Sequence, residues 1–275
     1  MKACISAALL LAATHAWCQA PAPQGEIKGQ AVEHTAESAR AAVANGALVL
    51  PAAATGGPVF AGAFKDAPRE VRARVPVVVF LHGSSGLGLK AIGEWQQWLA
   101  TLGIASFAPD SFALPARVTY KSPVGKDFYE KIHALRGSEI TLAVQALKDA
   151  PWADPRRMVL AGTSEGATAV ARYGGDAFAG RMIFSWSCED NYFVETHRTA
   201  AMPERPVLNV ISATDPFFSR TNAWLGQPAA AGHCAAAFKD QPKASIVLIP
   251  GAPHTLLNLP AARQVAAGFL QEVLK

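Results

Sequence analysis

The stretch Gly162-Thr163-Ser164-Glu165-Gly166 decides how this sequence is read. It follows an apolar run, Arg157-Met158-Val159-Leu160-Ala161, and precedes Ala167-Thr168-Ala169-Val170-Ala171-Arg172-Tyr173. The pattern predicts a strand, a tight turn and a helix, with a serine at the apex. Glycines two residues before and two after the serine let the backbone turn sharply and let strand and helix pack closely. Such a turn lifts the hydroxyl above a sheet and sets it at a helix N-terminus, where developing negative charge is stabilised. Ser164 is therefore the candidate nucleophile.

Working outward, the β-branched run Pro76-Val77-Val78-Val79-Phe80-Leu81 predicts a strand buried on both faces. Trp95, Trp98, Leu99 and Leu102 give residues 92–102 helical spacing, and a strand over 104–108 stops at Pro109-Asp110. A long helix is expected over 126–150, with Ile132, Leu135, Ile140, Val144 and Leu147 on its buried side. Strands over 182–186, 206–212 and 244–249 follow, then a closing amphipathic helix over 260–274. Residues 59–64 alternate and predict an early antiparallel strand. Residues 21–45 are polar, alanine-rich and weakly patterned, and read as a mobile start with room for a short helix. Strands alternating with helices imply an α/β fold: a mainly parallel central sheet with helices on both faces. The expected organisation is a signal peptide over 1–20, an N-terminal extension over 21–57 and one catalytic domain over 58–275.

The chain has 275 residues, 51% hydrophobic and 17% charged, which suits one domain with a large core. Its net charge is +4, but the basic residues are scattered, so no nucleic-acid partner is expected. The positive balance leaves a mild preference for anionic partners open. Met1-Lys2, the apolar residues 5–13 and the small residues around Ala16 to Ala20 read as a secretory signal. The apolar core is too short for stable membrane insertion, so the mature chain is expected in the periplasm or outside the cell. Cleavage after Ala16, Cys18 or Ala20 stays open, and a lipid-modified Cys18 is the rival reading. Of the four cysteines, Cys4 and Cys18 fall in or at the signal. The two that remain, Cys188 and Cys234, are expected to form a disulfide in an oxidising compartment rather than a metal site.

A serine nucleophile needs an imidazole to take its proton and a carboxylate to orient that imidazole. In an open parallel sheet these groups belong on loops at the carboxyl ends of strands. Among seven histidines, His254 follows the 244–249 strand across Pro250-Gly251-Ala252-Pro253 and is the candidate base. Asp215 follows the 206–212 strand and is the candidate acid, with Asp190 in reserve. The backbone amides of Glu165 and Ser84, the latter in His82-Gly83-Ser84-Ser85-Gly86, are the candidate oxyanion donors. His82 reads as a brace for that loop, and Arg136 with Glu139 as a helix-face pair of small worth if exposed. Trp186, Tyr192, Phe217 and Phe218, with Phe193, Phe112 and Tyr120, sit on loops that should line an apolar pocket.

These motifs, together with Ala108-Pro109-Asp110-Ser111-Phe112 and Ala213-Thr214-Asp215, fall in an order that resembles the α/β-hydrolase superfamily over about residues 58–275. The Ala-Pro-Asp-Ser-Phe segment and the lack of a long inserted cap resemble the dienelactone hydrolase group. The chain departs from that group in carrying Ser164 where a cysteine is usual, and His82-Gly83 where a glutamate is usual. The resemblance implies a hydrolase of small-molecule carboxylic esters working through an acyl-enzyme, with no cofactor. A peptidase or amidase, or a dienelactone-type lactone hydrolase, would use the same triad. A non-catalytic binding protein on the same fold is the third reading. Oligomeric state is not legible in the sequence.

Overall fold

The computed structural model describes residues 25–200, 202–225 and 229–275, so the expected signal peptide lies outside the described residues. In chain order the elements are β1 (Glu26–Lys28), α1 (Ala36–Ala44), β2 (Ala47–Leu50), α2 (Ala52–Thr55), β3 (Phe60–Ala63), β4 (Val75–Leu81) and α3 (Lys90–Thr101). Then come β5 (Ala105–Ala108), β6 (Thr119–Lys121), α4 (Lys126–Lys148), β7 (Ala153–Thr163) and α5 (Glu165–Arg172). The chain closes with β8 (Gly180–Phe184), β9 (Val207–Ser212), β10 (Ala244–Ile249) and α6 (Pro260–Val273).

An eight-stranded sheet runs β10-β9-β8-β7-β4-β5-β2-β3. The pairings from β10 to β5 are parallel, and β2 is antiparallel to both its neighbours. Side-chain alternation in β4 explains its unbroken apolar run. Val77, Val79 and Leu81 enter the core beneath α4 and α5, with Ile140, Ala143, Leu147, Ala167 and Val170. Val78 and Phe80 enter the core beneath α3 and α6, with Trp95, Leu99, Ala262, Ala266 and Leu270. A strand covered on both faces has no polar side to alternate.

Residues 21–57 differ from the expected extension. They hold α1 and β2, and β2 lies inside the main sheet between β5 and β3. Helix α1 starts at a reciprocal cap: Ser38 N donates to Thr35 Oγ1 at 3.1 Å, and Thr35 N donates to Ser38 Oγ at 2.9 Å. The four residues of β2 are too few for a period to register, yet Leu48 and Leu50 are fully buried. The strand expected over 182–186 ends at Phe184, because Ser185 turns to φ 54°. The strand expected over 157–161 runs longer, from Ala153 to Thr163, and pairs with β4 as early as Val75.

The order of the sheet has a functional consequence. The chain leaves β4 toward β5 on one side and meets β7 on the other. The carboxyl ends of β4 and β7 therefore open a crevice at a topological switch point, where open α/β sheets bind ligands.

Candidate active site

Ser164 sits at the apex between β7 and α5 with φ 54° and ψ −119°. A non-glycine residue at positive φ is strained, and such strain clusters at functional positions. The surrounding packing enforces it. Ser164 N donates to Phe184 O at 3.0 Å, which ties the turn to β8. A Cβ at Gly166 would stand 2.3 Å from Leu81 O and one at Gly162 would stand 2.8 Å from the Gly166 carbonyl. Only glycines let α5 press this closely against β4 and β7.

His254 and Asp215 come together as expected. His254 Nδ1 lies 2.7 Å from Asp215 Oδ2. The fully buried Asp215 carboxylate also accepts from Phe217 N at 2.9 Å and Phe218 N at 3.0 Å through Oδ1. The carboxylate oxygen facing His254 is an acceptor, which sets Nδ1 as the donor and leaves Nε2 as the acceptor. Asp190, the reserve acid, is elsewhere: its Oδ1 accepts from His197 N at 2.5 Å and lies 3.1 Å from His197 Nδ1.

Two serines that sequence reasoning missed hold the histidine loop. Ser185 Oγ donates to His254 O at 2.5 Å, and Ser212 Oγ donates to Ala252 O at 2.6 Å. Both are fully buried at the carboxyl ends of β8 and β9. No motif marks them, because a buried serine at a strand end has no sequence signature.

Ser164 and His254 line one cavity of about 150 Å³ with Ser84, Tyr120, Tyr192, Phe217 and Phe218. Phe217 packs against the imidazole, its ring centroid 4.6 Å away. Trp186, expected in the lining, instead backs the wall: it meets Phe218 edge-on at 4.9 Å and is 2% exposed. The Cys188–Cys234 disulfide is present and fastens the segment carrying Trp186, Tyr192 and Phe193. Tyr192 stays protonated, since burial pushes its pKa up.

The Glu165 side chain has a place the sequence did not suggest. It is fully buried behind the serine turn. Its Oε1 accepts from Arg117 Nη2 at 2.6 Å, and its Oε2 accepts from the Tyr120 hydroxyl at 2.9 Å. Arg136 Nε lies 3.6 Å away. Arg136 and Glu139, read as a helix-face pair, do pair, with Arg136 Nη1 2.9 Å from Glu139 Oε2, but both are fully buried. His34, read as part of a mobile start, reaches Glu139 Oε1 at 3.3 Å. A pair at i,i+3 reads as a surface pair unless its partners across the fold are known, and none of these is local.

His82 does brace its loop. It is fully buried, its Nδ1 donates to Gly83 O at 2.7 Å, and its Nε2 accepts from Ser111 N at 3.3 Å. Burial first, and then the adjacent Arg136, hold its pKa well below the ordinary value, so it stays neutral.

No protein-family model matches the chain, and no curated protein matches it in sequence. Solved structures are similar in fold. A dienelactone hydrolase-like promiscuous phosphotriesterase from metagenomic libraries matches with a TM-score of 0.53, covering 93% of this chain and 100% of its own at 15% identity. Est1E from Butyrivibrio proteoclasticus has a TM-score of 0.48 at 18% identity, over 76% of this chain and 92% of its own. A dienelactone hydrolase from Anabaena variabilis has a TM-score of 0.48 at 16% identity, over 74% and 90%. Strand order, helix placement and the first of these likenesses together give the chain the α/β-hydrolase fold.

Proposed function

We propose that this protein is a serine hydrolase that cleaves carboxylic esters of small molecules through an acyl-enzyme. One observation carries the reading: a serine strained at φ 54° shares a cavity with a histidine whose Nδ1 is 2.7 Å from a buried aspartate. Ser164 Oγ attacks the ester carbonyl carbon while its proton passes to His254 Nε2. Asp215 stabilises the imidazolium, and the Ser84 and Glu165 amides receive the negative oxygen. Each amide is worth about 2.7–4 kcal/mol in such sites. Collapse breaks the bond to the alcohol oxygen, which takes the proton from Nε2. Water then attacks the acyl carbon, gives a proton to Nε2, and the acid leaves as Ser164 recovers its own. The fold likeness to a dienelactone hydrolase-like phosphotriesterase supports a hydrolase, and the Est1E and dienelactone hydrolase names agree with ester chemistry.

The test is covalent labelling by a fluorophosphonate, read by peptide mapping, with an ester panel run beside it. Ser164 should carry the label. Ser164→Ala should lose activity on the order of 10⁴-fold or more while keeping its Tm. Hydrolysis of peptide amides in preference to activated esters would replace this reading with a peptidase.

We also propose export to the periplasm or beyond the cell. Met1-Lys2 with the apolar residues 5–13 supports it, as does a disulfide that needs an oxidising compartment. Recovery of the chain in the cytosolic fraction with free thiols would overturn it.

A further inference from the structure

The cavity at Ser164 is small and carries no cation. Among the described residues, its wall includes Leu89, Tyr120, Tyr192, Phe217 and Phe218, with no lysine or arginine. The two guanidiniums behind it are fully or nearly fully buried and turned to other groups. Arg117 Nε donates to Ser111 Oγ at 2.7 Å, Nη1 to Val118 O at 2.8 Å and Nη2 to Glu165 Oε1 at 2.6 Å. Arg136 donates to His82 O at 2.9 Å through Nη2, and its Nη1 lies 2.9 Å from Glu139 Oε2. The Tyr120 hydroxyl donates its one hydrogen bond to Glu165, so toward the cavity it offers lone pairs. The buried Asp215 carboxylate stands behind His254, its oxygens taken by that imidazole and by the Phe217 and Phe218 amides. An anionic group entering here would lose water and meet no cation, only neutral groups such as the hydroxyls of Ser84, Ser122 and Thr163. Burying a charge without a partner is strongly unfavourable.

Volume sets a second limit. The cavity is about 150 Å³, against roughly 300–1,000 Å³ for drug-sized ligand sites. A space of about this size is comparable with one that holds a single benzene ring.

We propose that the ester taken by this site is uncharged at the group that enters the cavity, and that this group is no larger than one aromatic ring. The proposal rests on the serine-esterase reading above. It narrows a possibility that the net charge of +4 leaves open, because no lysine or arginine lines the cavity among the described residues.

The test uses matched substrates that differ in charge but hardly in shape. Methyl 4-carbamoylbenzoate is compared with methyl 4-carboxybenzoate, and 4-carbamoylphenyl acetate with 4-carboxyphenyl acetate. At pH 7.5 the carboxamide should exceed the carboxylate in kcat/KM by about tenfold or more in at least one pair. A smaller preference in both pairs overturns the charge half of the proposal. Methyl benzoate should exceed methyl 4-phenylbenzoate by about tenfold, and comparable rates overturn the size half. Leu89→Lys places a cation on the wall and should narrow the carboxamide preference; an unchanged ratio means that the missing cation is not the cause. Fluorophosphonate labelling separates the two levels. A labelled Ser164 without selectivity sinks this proposal alone, whereas an unlabelled Ser164 with every ester inert sinks the reading beneath it.

Discussion

Ser164 and His254 line one cavity, and different chemistry supports each of them. Behind Ser164 lies a buried cluster of charges: Glu165 with Arg117 at 2.6 Å and Arg136 with Glu139 at 2.9 Å. Behind His254 the loop is held by neutral hydroxyls, Ser185 to His254 O and Ser212 to Ala252 O. A buried ion pair fixes geometry at a high cost if one partner is lost. A neutral hydrogen bond is worth about 1 kcal/mol and yields gradually. Ser164 is thus backed by interactions that are costly to break, and the loop bearing the imidazole by weaker ones.

Removing one charge is the severest test of that contrast. Arg117→Met leaves Glu165 without its closest cation and should cost about 3–5 kcal/mol in urea unfolding. Adding Glu165→Gln should recover more than half of the loss; a single variant as stable as wild type would remove the distinction between the two sides. Next comes the disulfide. Replacing Cys188 and Cys234 together with alanine should cost about 3 kcal/mol by calorimetry. It should also raise KM for aryl esters more than it lowers kcat, since the bond fastens the aromatic wall.

Acid should act on the charged side first. Burial lowers the His133 pKa from 6.5 to about 4, while its Nε2 donates to Phe193 O at 2.9 Å. Here the unfolded chain takes up a proton that the folded chain refuses. Stability is therefore full above about pH 6.5 and declines as pH falls toward 4, by up to about 3 kcal/mol. His82 titrates in the same direction. A His133→Phe variant should flatten the dependence of Tm on pH over this window. Least of all, Ser185→Ala should cost about 1 kcal/mol. Its mark should be a lower kcat with little change in KM, because the imidazole shifts while the pocket wall does not.

What was legible in the sequence follows from how local each signal is. The serine turn, β4, α4 and the closing helix announce themselves through residues adjacent in the chain, and the α/β architecture follows from their alternation. His254 and Asp215 were legible because fold geometry confines such groups to the ends of strands, and the structure brings the two side chains together. The rest depends on distant partners. β2 is four residues long, and only its place between β5 and β3 makes it a sheet strand. Arg117 sits in an unpatterned loop, and nothing near it in sequence points to Glu165. Arg136 and Glu139 were legible as a pair, but their burial was not, because it is decided by His82, His34 and Glu165.

The glycines around Ser164 bound how this site can vary. At Gly166 an added methyl would overlap Leu81 O at 2.3 Å, so no side chain fits unless α5 leaves the sheet. At Gly83 the nearest atom would be Ser164 Cβ at 3.3 Å, an approach that a shift of the 82–86 loop by a few tenths of an ångström relieves. In a library of variants, position 166 should return glycine alone, whereas position 83 should return small residues with altered substrate preference. Sequence change at this site has an open door on the loop side and a closed one on the helix side.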